Sequence, residues 1–180
     1  MDFYEKQIET ATPDKGLIVN VRSDTAELQN GARVRREVVE HPGGVGIIPV
    51  TDDNMVLMVR QYRYPMEEVL LEIPAGKLEP GEDPYTCAVR ELSEETGCVA
   101  GRLIDMGVLY PSPGYCREKL YLYLALDLQP GDMHLDENEL LSLEKHEISG
   151  LVDKIMANEL TDAKTIIGIL KAKRYLEVFK

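Results

Sequence analysis

Residues 83–97 specify a helix from end to end, and the rest of the chain has to fold around it. Asp83 offers a short acceptor side chain at the cap. Pro84 suits the first helical position, where a missing N–H costs nothing, and Gly97 suits the left-handed residue that ends a helix. Tyr85, Ala88, Val89 and Leu92 recur at helical spacing, which predicts a face that packs on a sheet. Glu91, Glu94 and Glu95 fall on an adjoining face, with Glu91 and Glu95 one turn apart. Like charges at that spacing destabilise a helix by roughly 0.2–0.5 kcal/mol per pair, so a compensating cation is required. Arg90, four residues before Glu94, is one candidate. A divalent cation is the stronger one, because magnesium takes a couple of carboxylates together with water and phosphate oxygens. A solvated acidic face is the commoner fate of such a helix, so the surroundings must decide.

Around this helix the chain reads as strands first and helices last. Short strands are expected over 17–22, 25–28 and 33–39, the last two flanking the hairpin signal Asn30-Gly31. The run from His41 to Gly44 is a break. Apolar, β-rich runs follow at 45–50 and 55–62, joined by the turn-forming Asp52-Asp53-Asn54, and a short strand at 70–73 precedes Pro74. Beyond the helix, 103–109 reads as extended. Over 120–128, Leu120, Leu122, Leu124 and Leu126 give one strongly apolar strand face. Helices are expected at about 150–158 and 163–179, the second carrying Ile166, Ile167, Leu170, Arg174 and Leu176 at helical spacing. This order predicts an α+β fold, with a small N-terminal β subdomain over 1–43 and the main domain over 44–180.

Charge and cysteine usage exclude whole classes. The net charge of −12 is the reverse of a nucleic-acid-binding footprint, so no nucleic acid is expected as a partner. A small phosphorylated ligand fits only if cations intervene. Cys87, Cys98 and Cys116 form no CxxC, and His41, His134 and His146 are dispersed, which sets aside zinc and disulfides. No run approaches a membrane span and the first residues lack a basic cap with an apolar core. A cytoplasmic protein with no membrane partner is expected.

The context of the helix then becomes decisive. Gly76, Glu82, Arg90, Glu91, Glu94, Glu95 and Gly97, with Leu92 between them, match the Nudix box at every fixed polar and glycine position. Matching all seven by chance happens about once in 10⁸ windows. The final aliphatic position is Cys98, a small buried hydrophobe in its place. The chain therefore resembles the Nudix hydrolase superfamily. That resemblance implies an α/β/α sandwich with a mixed sheet. It implies Glu91 and Glu95 as principal metal ligands, Glu94 as a further ligand or water-holder, and the Ala75 carbonyl completing the site. Glu82 and Arg90 would pair to brace the loop, with Gly76 and Gly97 as structural positions. Mg2+ is the implied cofactor, with Mn2+ as a substitute.

Further segments resemble the ADP-ribose pyrophosphatase branch. They are residues 31–43, 59–63, 72–76 and 161–165, with Pro113 sixteen residues past Gly97 in a Ser112-Pro113-Gly114 loop. The branch implies hydrolysis of ADP-ribose to AMP and ribose 5-phosphate. It implies Arg35, Arg36, Arg63, Ser112, Pro113 and Gly114 as substrate contacts, and an acidic residue from residues 136–139 as metal ligand or base. Glu139 and Glu137 are the candidates there, with Glu94 behind them. It also implies a homodimer with exchanged N-terminal segments. Where some relatives carry an aromatic residue to stack adenine, this chain has only the aliphatics Leu17, Ile18 and Val19. Two alternatives remain: a pyrophosphatase for other nucleoside diphosphate sugars, such as GDP-mannose or ADP-glucose, or a catalytically silent Nudix ligand sensor. The intact box speaks against the second.

Overall fold

The computed structural model describes residues 6–16, 18–135 and 140–179, and divides into two compact units. The first comprises Met1–Gly43 and Tyr110–Lys119. Its strands β1 (Lys6–Lys15), β2 (Asn20–Glu27) and β3 (Arg33–Glu40) form an antiparallel sheet in that order. The Asn30-Gly31 turn joins β2 to β3: Gly31 sits at φ +80° and Asn30 Oδ1 accepts the Ala32 N–H at 3.0 Å. The later segment ties onto β3, with Val39 N–H donating to Tyr115 O at 2.7 Å and Arg117 N–H to Val39 O at 2.9 Å. Two expectations are corrected here. The strands expected at 17–22 and 25–28 are one strand, β2, because it runs unbroken opposite β3 from Asn20 to Glu27. Strand β1 was not expected, since its largely polar residues and Pro13 hide any alternation.

The second unit, Gly44–Leu109 and Leu120–Lys180, carries the acidic helix. Its four-stranded sheet runs β7 (Ala75–Lys77), β4 (Gly44–Pro49), β9 (Leu120–Pro130), β8 (Cys98–Leu109). It is mixed: β4 and β9 are parallel, whereas β7 and β8 pair antiparallel. A second antiparallel sheet runs β10 (Leu141–Glu147), β5 (Met55–Arg63), β6 (Glu68–Glu72). Helices α1 (Pro84–Thr96), α2 (Ile148–Met156) and α3 (Ala163–Phe179) complete it.

Strand β9 explains the layering. Leu120, Leu122, Leu124 and Leu126 pack with Ile48, Leu151 and Ile169 on the α2/α3 side. Tyr123 and Ala125 point the other way, into a cluster with Val45, Ile47, Ala88 and Leu92 of α1. Both faces are covered, so the strand expected to have one apolar face has two. The result is an α+β unit with helices on both sides of a mixed sheet. Burying each of these leucines contributes about 1.5–3 kcal/mol.

Further elements differ from expectation. Strand β8 starts at Cys98, directly off the helix, and α2 starts at Ile148. Strand β10 is not among the strands the sequence predicts; Leu141 and Leu143 alternate with polar residues, and pairing with β5 makes it a strand. Helix α3 turns Thr165, Gly168, Ile169 and Ala172 inward and leaves Ile167 and Leu170 exposed. Among the described residues no helix is long and apolar enough to cross a membrane.

Candidate active site

Helix α1 is capped as its sequence demands. Asp83 Oδ2 accepts the Thr86 N–H at 3.1 Å, and Gly97 at φ +64° donates its N–H to Ser93 O. Its buried face is the expected one only in part: Ala88 and Leu92 pack on the sheet as expected. Cys87, Ala88, Glu91, Leu92, Glu95 and Thr96 are buried, whereas Tyr85 and Val89 are exposed. The helix is rotated so that Glu91 and Glu95 are buried against Gly76 and Ala75, in place of Tyr85 and Val89, beside the apolar Ala88 and Leu92. Tyr85 instead stands edge-on to Tyr123, with ring centroids 6.1 Å apart.

The loop explains why burying carboxylates is tolerated. A Cβ on Gly76 would lie 1.7 Å from Glu91 Oε1, so only glycine allows the backbone to lie against that carboxylate. Glu95 Oε2 accepts the Ala75 N–H at 3.1 Å. Glu91 and Glu95 are 7% and 2% exposed, and a buried carboxylate without donors or cations would be costly.

Arg90 supplies much of the compensation. Its Nε and Nη2 fork onto Glu82 at 3.0 Å each, while Nη1 reaches Glu91 at 2.8 Å and Glu94 at 2.9 Å. Glu82 also accepts the Glu79 N–H at 2.9 Å. The Arg90 hydrogen bonds, followed by that backbone donor, pull the Glu82 carboxyl down to about 2. Beside them, burial pushes the Cys87 thiol up to about 12, so it is an inert packing group. Among the described residues no three acidic, histidine or cysteine side chains converge as a ready-made cage. The donor set nonetheless suits a hard cation: two buried carboxylates one turn apart and a third, Glu94, sharing Arg90 with Glu91. Magnesium uses one or two such carboxylates and completes its shell with water and phosphate oxygens.

The remaining candidates are distributed over both units. Arg35 and Arg36 are exposed on β3 in the first unit, where Arg35 Nη2 donates to Ser23 Oγ at 2.8 Å and Arg36 Nη1 to Arg35 O at 3.2 Å. Ser112, Pro113 and Gly114 form a turn in the same unit, with Ser112 O accepting the Cys116 N–H at 2.9 Å. Arg63 belongs to the second unit, at the end of β5. Glu137 and Glu139 lie outside the described residues. The described chain leading towards them is tied to the acidic helix, with His134 N–H donating to Glu94 O at 3.2 Å and Gly131 N–H to Gly97 O at 2.6 Å.

The sequence reading passed over Glu72. This carboxylate is 1% exposed and holds both Nε and Nη2 of Arg63 at 2.7 Å. Lys164 also donates to it, and Lys164 Nζ reaches Asp162 Oδ2 at 3.0 Å. Burial pushes the Glu72 carboxyl up, but Arg63 and Lys164 outweigh it and hold it below the ordinary range. Residues 72–76 and 161–165 each resemble the same branch in sequence, but no local pattern shows that they meet.

Comparison with known proteins agrees with this geometry. Residues 40–165 match the profile of the NUDIX domain. The chain is 40% identical to the methanol dehydrogenase activator of Bacillus methanolicus over 93% of this chain and 91% of that one. It is 37% identical to the ADP-ribose pyrophosphatase of Bacillus subtilis (strain 168), over 98% and 97% respectively. A crystal structure of an ADP compounds hydrolase superposes with a TM-score of 0.84 at 26% identity, covering 96% of this chain and 94% of that one.

Proposed function

The chain belongs to the Nudix hydrolases and is a pyrophosphohydrolase, and from that premise we propose that it splits ADP-ribose into AMP and ribose 5-phosphate with Mg2+ as cofactor. The observation that carries this is the buried Glu91/Glu95 pair, Glu91 against the Gly76 backbone and Glu95 on the Ala75 N–H. The similarity to an ADP-ribose pyrophosphatase over nearly the whole chain supports the substrate. Water adds to one phosphorus of the pyrophosphate, and the bridging P–O bond breaks as the other phosphate leaves.

Glu91, Glu95, Glu94 and the Ala75 carbonyl would hold the magnesium, with Glu139 from the 136–139 segment as a further ligand. Bound there, the metal would neutralise phosphate charge and lower the pKa of the attacking water. Glu82 and Arg90 brace the loop that presents Ala75 and Gly76. Glu139 or Glu137 takes the proton from water, with Glu94 as the next candidate. The tie between His134 and Glu94 supports this, because it anchors the chain a few residues before those carboxylates. Arg35, Arg36, Arg63 and the Ser112–Gly114 turn contact the substrate, and the working protein is a cytoplasmic homodimer with exchanged N-terminal segments.

The test is hydrolysis by the purified chain with magnesium of ADP-ribose, ADP-glucose, GDP-mannose and NADH. ADP-ribose is expected to have the highest kcat/KM; finding it among the poorest would overturn the substrate assignment. Glu95→Gln is expected to lower magnesium-dependent turnover by orders of magnitude with an unchanged circular dichroism spectrum. An unaltered rate would remove its metal role.

A further inference from the structure

The carboxylate of Glu72 is a buried charge for which the proposed reaction has no use. It ends β6 and is 1% exposed, yet two cations converge on it. Isolated buried ion pairs stabilise little, because desolvation offsets their attraction. The geometry suggests another use. Arg63 spends Nε and Nη2 on Glu72, and among the described residues Nη1 has no acceptor. Its side chain is 36% exposed while that of Glu72 is 1% exposed, so the clamped guanidinium belongs to a side chain that still reaches solvent. Arg63 also lies within Coulombic range of Glu95.

The clamp is built into the same frame as the metal-site backbone. Three residues after Glu72, Ala75 donates its N–H to Glu95. Between them the Ile73 N–H donates to Thr165 Oγ1 at 2.9 Å, and Pro74 O accepts the Ile47 N–H at 2.8 Å. Thr165 Oγ1 donates in turn to Asp162 Oδ2 at 2.6 Å, the same atom that Lys164 approaches. Lys164 therefore anchors Glu72 to the start of α3, and Glu72 anchors Arg63.

Resting on the proposed ADP-ribose reading, we propose that Glu72 is a positioning residue, held by Lys164, that aims the free edge of Arg63 at the substrate's phosphate oxygens. A guanidinium held in one orientation loses less freedom when it meets a phosphate, which lowers the cost of binding. Removing the clamp should act on KM and only through Arg63.

The experiment is a double-mutant cycle on ADP-ribose hydrolysis with magnesium, using Glu72→Gln, Arg63→Met and the combination. Each single change is expected to raise KM about tenfold with kcat nearly unchanged, the effect of losing uniform binding. Together they should still raise it only about tenfold in total, rather than about a hundredfold, because both remove one contact. Should Glu72→Gln not fold, Lys164→Met replaces it, with KM raised about threefold alone and unaltered in the Arg63→Met background. Multiplicative effects, or a lowered melting temperature with KM unchanged, would reduce Glu72 to a structural ion pair and leave the substrate assignment standing. A wild-type chain that hydrolyses no ADP-sugar would overturn the reading and this proposal together.

Discussion

At the scale of single residues, the candidate site shows how one arginine makes an acidic helix tolerable. Arg90 touches Glu82, Glu91 and Glu94, so charges that repel along the helix share one cation. The pH dependence follows with a definite sign. Glu82 has its carboxyl lowered from 4.5 to about 2 by Arg90, and Glu144 is lowered equally by Arg60 and then His146. Each contributes stability that is fully present above 4.5 and disappears as pH falls towards about 2. Melting temperature should therefore decline across that interval, and Glu82→Gln should flatten the decline; an identical pH profile in the variant would contradict the assignment. Residue identities at this site were readable because the spacing of Gly76, Glu82, Arg90, Glu91 and Glu95 is local and complete. Glu72 was not readable, because its partners Arg63 and Lys164 lie 9 and 92 residues away.

At the scale of elements, α1 is legible in its ends and only half legible in its face. Caps depend on one or two side chains next to the backbone they satisfy, and Asp83 and Gly97 perform as their types require. Asp83→Ala should cost about 1 kcal/mol. Gly97→Ala should cost about 1 kcal/mol or more, since its left-handed backbone is strained with a side chain. A Cβ there would also lie 3.1 Å from Met133 N. Thermal denaturation should show each as a drop of about 2–4 °C, and an unchanged melting temperature for Gly97→Ala would refute the cap. Ala88 and Leu92 are buried as their spacing predicts, but Tyr85 and Val89 are not; apolar periodicity assumes that carboxylates face water. Here Gly76, the Ala75 N–H and Arg90 accommodate them instead. Strands β1 and β10 escaped notice for a related reason: they are partly polar and are strands because β2 and β5 pair with them.

At the scale of the whole molecule, the N-terminal β region expected as a separate body lies in a unit that also recruits Tyr110–Lys119. That later segment carries the Ser112–Gly114 turn, so two of the proposed substrate-contacting regions share one unit. On the second unit, Tyr62, Tyr64, Met66 and Val69 leave apolar surface exposed around the β5–β6 connection, with Tyr64 83% exposed. Exposed apolar surface of this kind suits a partner chain, in keeping with the proposed homodimer. Sedimentation equilibrium is expected to return twice the 20.3 kDa of one chain. The mass of a single chain at micromolar concentration would sink that proposal.

What the sequence determined by itself was the helix, its caps, the box that names the reaction class, and the leucine strand at its side. Those features rest on contacts between residues a few positions apart, whose geometry the backbone already dictates. The tertiary structure decided which face of α1 is buried, that β9 is covered on both sides, and that Arg63 and Lys164 meet on Glu72. Those outcomes depend on which distant surfaces exclude water together, and no local spacing records that.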